Sequence, residues 1–140
     1  MFKIRLKYDL NAFQIDLDAP KSTKQTNAVL LAYERSIPLV KANAAYDHPK
    51  AMGKAVGLTI NEATAYNTNT MDTHRMVQRA KAIYHDSKLI ENLADDLFYA
   101  YFTENKELAD HKVLLDVAKK NKLDTEEVKK ILDSKCLKFN

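Results

Sequence analysis

Between Leu89 and Phe102 the apolar residues Leu89, Ile90, Leu93, Ala94, Leu97, Phe98, Tyr101 and Phe102 recur at the spacing of one helix face. Fourteen residues in this register make about four turns. A segment of that length and period is a buried-faced helix, and it sets the class to which the rest of the chain must conform. Only two glycines and three prolines occur in 140 residues, too few for the many tight turns of a sheet-rich protein. The sequence therefore predicts a mainly α fold with one or two short N-terminal β strands, in one domain. Residues 1–20 form its strand region and residues 21–140 its helical region.

The strand signal is at the start. Phe2, Ile4, Leu6 and Tyr8 alternate with Lys3, Arg5 and Lys7, the pattern of a half-buried strand. Phe13, Ile15 and Leu17 resume it after Asp9-Leu10-Asn11. This alternation is unlike the continuous apolar stretch of a signal peptide. A first helix is expected from Ser22 or Thr23 to Arg35, with Ala28, Leu31 and Ala32 on one side. Pro38 suits the first position of a second helix. Pro49 restarts that helix, Asp47 caps it and Gly57 stops it. Residues 58–67 lack a period and read as a loop.

The remaining helices have clearer signals. Asn69 caps one bearing Val77, Ala80, Ile83 and Tyr84. Asp110 caps another with Val113, Leu114, Val117 and Ala118. Asp124-Thr125-Glu126-Glu127 is close to a capping box before Val128, Ile131 and Leu132.

Charge and cysteine content narrow the function. The net charge is +3 with both signs interspersed, which gives solubility without the basic stripe of a nucleic-acid binder. No apolar run approaches the ~20 residues of a membrane span. Neither nucleic acid nor membrane is an expected partner. Cys136 is the single cysteine, so these residues hold no internal disulfide and no C-x-x-C pair, and the cytoplasm is the expected compartment. Lys135 beside Cys136 favours a thiolate, but one thiol makes no redox pair. His48, His74, His85 and His111 show no ligand spacing, so neither a metal nor another cofactor is expected. The aromatic residues Phe98, Tyr99, Tyr101 and Phe102 have the helical spacing of core packing rather than that of a base-stacking platform.

Three segments carry a resemblance. Asn69-Thr70-Met71-Asp72-Thr73-His74-Arg75 is similar to N-T-x-x-A-H-R, a signature of the FrnE-like branch of the DsbA family. Leu97-Phe98-Tyr99-Ala100-Tyr101-Phe102-Thr103-Glu104 resembles that family's L-F-x-A-Y-F-x-E, with Glu107-Leu108-Ala109-Asp110 and Val113-Leu114 as its usual sequel. Phe13-Gln14-Ile15-Asp16-Leu17 resembles F-x-L-[ND]-P. Order and spacing agree over nearly the whole chain.

The resemblance implies a dithiol-disulfide oxidoreductase or isomerase of thioredoxin fold. These residues would supply its helical insertion, which lids the active site, beside an incomplete thioredoxin core. Two family elements are not found between Met1 and Asn140: the C-x-x-C at a helix N-terminus and the G-V-x-G-V-P segment with its cis-proline. The chain is therefore expected to be a fragment or a degenerate product, and non-catalytic as it stands. The resemblance further implies that His74 and Arg75 lie near the cleft over the cysteines. There they would hold a thiol or glutathione-type substrate, His74 by binding or protonating it and Arg75 by pairing with the substrate's carboxylate, with Asn69 beside them. The structural alternative is that His74 edges the apolar face, Asn69 only caps and Asp72 complements the helix dipole.

Two other functions compete. One is a glutathione- or small-molecule-binding isomerase or transferase-like lid domain. The other is a non-enzymatic helical assembly module. A homodimer is expected because the Phe2–Tyr8 strand lacks sheet partners and helix faces are left uncovered, including part of the Leu89–Phe102 stripe.

Overall fold

The computed structural model describes residues 20–134. The expected strands at Phe2–Tyr8 and Phe13–Leu17, and Cys136, lie outside the described residues. Within them the order is β1 (Ser22–Thr26), α1 (Asn27–Glu34), α2 (Leu39–Ala44), α3 (Asp47–Ala55), a 3-10 turn (Glu62–Thr64), β2 (Tyr66–Thr68), α4 (Met71–Tyr84), α5 (Ser87–Phe98), a π-helical turn (Tyr99–Thr103), α6 (His111–Lys120) and α7 (Thr125–Asp133). The mainly helical expectation with a small N-terminal sheet holds. None of the described helices is long and apolar enough to cross a membrane.

The first helix starts later than its sequence suggests. Ser22–Thr26 is a strand, antiparallel to Tyr66–Thr68 in the stretch expected to be loop. Ser22 pairs with Thr68 and Thr26 with Tyr66, so β1 carries extra residues in a bulge, where Lys24 takes φ 51°. Asn27 fixes the exit. Its N–H donates to the Ala65 carbonyl at 2.9 Å, and its Nδ2 donates to the Glu62 carbonyl at 2.9 Å and the Tyr101 hydroxyl at 3.0 Å.

Gly57 ends α3 as its position predicts. At φ 80° its N–H donates to the Lys54 carbonyl at 3.1 Å, and the Leu58 N–H donates to the Gly53 carbonyl at 2.8 Å. This pair of bonds is a Schellman closure. Gly53 is needed for a different reason: a Cβ there would stand 2.4 Å from Ile60 Cγ1.

Three aspartates start the later helices. Asp86 accepts from the Lys88 and Leu89 N–H groups, Asp110 from Lys112, and Asp124 from Glu126 and Glu127. Each satisfies N–H groups that helix geometry leaves unpaired. Helices α4 to α7 close over one core, with Met76, Leu93 and Leu114 almost fully enclosed. Ile90, Leu93 and Leu97 of the Leu89–Phe102 stripe are buried there and Leu89 and Tyr101 pack against them, so these five are engaged within the chain.

The aromatic residues divide. Tyr101 packs against the core, whereas Phe98 and Tyr99 are exposed, correcting the expectation that all four are core. The physical reason is the helix register: Leu93, Leu97 and Ala100 take the core face, which leaves Phe98 and Tyr99, one and two residues past Leu97, turned away from it.

Candidate functional site

The residues singled out by sequence meet in the first turn of α4. Asn69 Oδ1 accepts the Met71 N–H at 2.8 Å, so its capping role is met. Asp72, one residue further, uses both carboxylate oxygens: Oδ1 takes Arg75 Nη1 at 2.8 Å and Oδ2 faces His111 Nε2 at 2.8 Å. Thr73 adds a bond from its hydroxyl to the Leu108 carbonyl at 3.2 Å. The start of α4 is thereby tied to the start of α6 and the segment before it.

Arg75 reaches the opposite way. Its Nη2 donates to the Ile131 and Ser134 carbonyls and to the Ser134 hydroxyl. The Ile131 and Ser134 carbonyls lie at the C-terminal end of α7, where orphan acceptors and the negative dipole end favour a cation. The side chain is 11% exposed. A carboxylate ligand would have to displace this set, so the guanidinium is committed to joining α4 and α7.

His74 differs. Its backbone N–H donates to the Thr70 carbonyl at 3.0 Å, and among the described residues its ring has no hydrogen-bond partner. The side chain is half-buried, and burial holds the imidazole below the ordinary histidine value of 6.5. Near neutral pH the ring is uncharged and able to accept or donate one hydrogen bond. Of the three candidates, Asn69 and Arg75 are engaged within the chain, and the His74 ring is without a hydrogen-bond partner among the described residues.

His111 is the member that sequence reading considered only as a metal ligand. It occupies the first position of α6, where its Nε2 lies 2.8 Å from Asp72 Oδ2. The only local signal was the capping Asp110 before it, which says nothing of Asp72. Among the described residues no three His, Cys, Asp or Glu side chains converge as a metal set.

Comparison with known proteins bears on the chain as a whole. The model of the DSBA-like thioredoxin domain matches residues 4–138. A solved structure of a probable DsbA oxidoreductase from Streptomyces coelicolor is similar, with TM-score 0.69 and 25% identity. The match covers 79% of this chain and 46% of that one, so the chain spans less than half the length of that relative. A search of curated proteins gave no match. With nearly all of its length accounted for by the family model, the chain belongs to the DSBA-like thioredoxin domain family.

Proposed function

We propose that the chain forms the helical lid of a FrnE-like dithiol-disulfide oxidoreductase or isomerase, and that it shapes the substrate cleft without supplying the redox pair. The family match over residues 4–138 carries this reading. The cysteine inventory supports the division of labour. Thiol-disulfide exchange needs an attacking and a resolving thiol, and Cys136 is the one cysteine in the sequence. His74 is the lid's contact with a thiol or glutathione-type substrate. A neutral, half-buried ring without a partner can take up the proton of a thiol or hydrogen-bond its peptide. The cytoplasm suits a chain with this cysteine usage.

Insulin reduction by dithiothreitol tests the redox part. The 140-residue chain should leave the rate at background, with or without Cys136→Ala. Acceleration that persists in Cys136→Ala would overturn the reading. Reduced glutathione tests the His74 part: it should shift the His74 ring proton resonances in a saturable way, and unchanged resonances at millimolar ligand would remove His74 from the cleft.

Exposed apolar side chains on α2 and α3 favour a further component, self-association into a homodimer. Sedimentation equilibrium at micromolar concentration tests it, and a clean monomer would refute it.

A further inference from the structure

Helices α2 and α3 are ordinary in their backbones and unusual in their surfaces. Ala42 is the one buried residue of α2 and Gly53 the one buried residue of α3. Their larger apolar side chains face solvent: Val40 is 80% exposed, Met52 60%, Val56 73% and Leu58 58%. Met52 and Val56 are one turn apart, so they form a stripe on α3. Lys50 and Lys54, also one turn apart, run beside it. Neither lysine has an ion pair among the described residues.

A second apolar surface is adjacent. The chain leaving α3 is pinned to the end of α5: the Thr103 hydroxyl donates to the Thr59 carbonyl at 2.7 Å, the Asn61 N–H to the Phe102 carbonyl at 2.6 Å, and Asn61 Nδ2 to the Thr103 carbonyl at 2.8 Å. Phe98 and Tyr99, exposed by 57% and 54%, lie about one turn before Thr103. Their flank is acidic. Asp95 is exposed and has no ion pair among the described residues; Glu91, one turn before it, has a long, exposed contact with Lys88 at 3.5 Å that a second partner can replace.

The lysines thus flank the apolar stripe of α3, and the link through Thr59 and Asn61 brings the end of that stripe's segment to the turn that follows Phe98 and Tyr99. We propose that these two surfaces form the homodimer interface, with the α3 stripe of one copy against Phe98 and Tyr99 of the other across a two-fold axis. A two-fold operation brings each surface against its complement twice and closes the assembly. Lys50 and Lys54 then meet Asp95 and Glu91 of the second copy at the rim, where opposite charges fix register. Pairing of the α3 surface with itself would set lysine against lysine. The inference rests on the homodimer reading and is independent of the redox assignment.

The test is sedimentation equilibrium of the 140-residue chain and exposed-site variants, each checked for an unchanged helical circular dichroism spectrum. Lys50→Glu with Lys54→Glu should weaken the dimer about tenfold or more, as should Asp95→Lys with Glu91→Lys. Combining all four substitutions should restore most of the lost affinity, because the charges are exchanged rather than removed. Val56→Asp should abolish association. A wild-type monomer would overturn both this interface and the dimer. A dimer indifferent to these substitutions would overturn the interface alone. A monomer that pellets with phosphatidylserine vesicles would overturn it in favour of a membrane surface.

Discussion

Arg75 Nη2 stands 2.6 Å from the Ser134 hydroxyl, so the fifth residue of α4 holds the residue that follows α7. The same nitrogen donates to the Ile131 and Ser134 carbonyls while Nη1 takes Asp72. A planar fork with several donors meets these acceptors; an ammonium at the same place cannot reach them together. Arg75→Lys should therefore cost about 2–4 kcal/mol, the range for breaking a largely buried charge network. Urea unfolding measures it. A variant within about 0.5 kcal/mol of wild type, the scatter of ordinary surface substitutions, would show that the joint contributes little.

Gly53 gives a packing prediction. An added Cβ would meet Ile60 Cγ1 at 2.4 Å and the Leu58 carbonyl oxygen at 3.3 Å. The first contact requires Ile60 to move, and the second lies in the Schellman closure. Gly53→Ala should lower stability by about 1–3 kcal/mol despite alanine's better helix propensity, because overpacking exceeds the gain of about 1 kcal/mol. Thermal unfolding should register a lower midpoint. A raised midpoint would mean that α3 shifts freely.

The parts of the fold readable from sequence are those whose causes are local. Asp110, Asp124 and Gly57 act within a few residues of themselves, and each ends or starts a helix where its chemistry implies. Ser22–Thr26 gives no strand signal because Ser-Thr-Lys-Gln-Thr has no apolar alternation; it is a strand because Tyr66–Thr68 offers it backbone partners. The site divides in the same way. The Asn69 cap is two residues from its donor, the Met71 N–H, whereas Arg75 meets partners 56 and 59 residues away and Asp72 meets His111 at 39. Nothing in the heptapeptide distinguishes an arginine reserved for a substrate from one that closes a helix end.

Asp86 offers a test of local control. It follows His85, whose φ of 49° ends α4, and its side chain accepts from Lys88 at 2.9 Å and Leu89 at 3.1 Å. Asp86→Ala leaves both N–H groups to water and should cost about 1 kcal/mol. Asp86→Ser should recover most of that. Equal losses in the two variants would assign the effect to charge rather than to capping.

The last prediction concerns acid. Burial lowers the His74 pKa in the folded chain below the ordinary 6.5, so the unfolded chain binds this proton at higher pH. The sign follows from linkage: where the unfolded state holds more protons, stability rises with pH. The contribution of neutral His74 is complete above 6.5, and it is lost as pH falls through 6.5 toward the lowered folded value. His74→Gln keeps a polar side chain that does not titrate. Between pH 7.5 and pH 5 the wild-type melting temperature should fall further than that of His74→Gln, since carboxylate effects are common to both. Parallel decreases would mean that the ring is as well solvated folded as unfolded, and would remove the reason for treating it as a neutral ligand-facing imidazole.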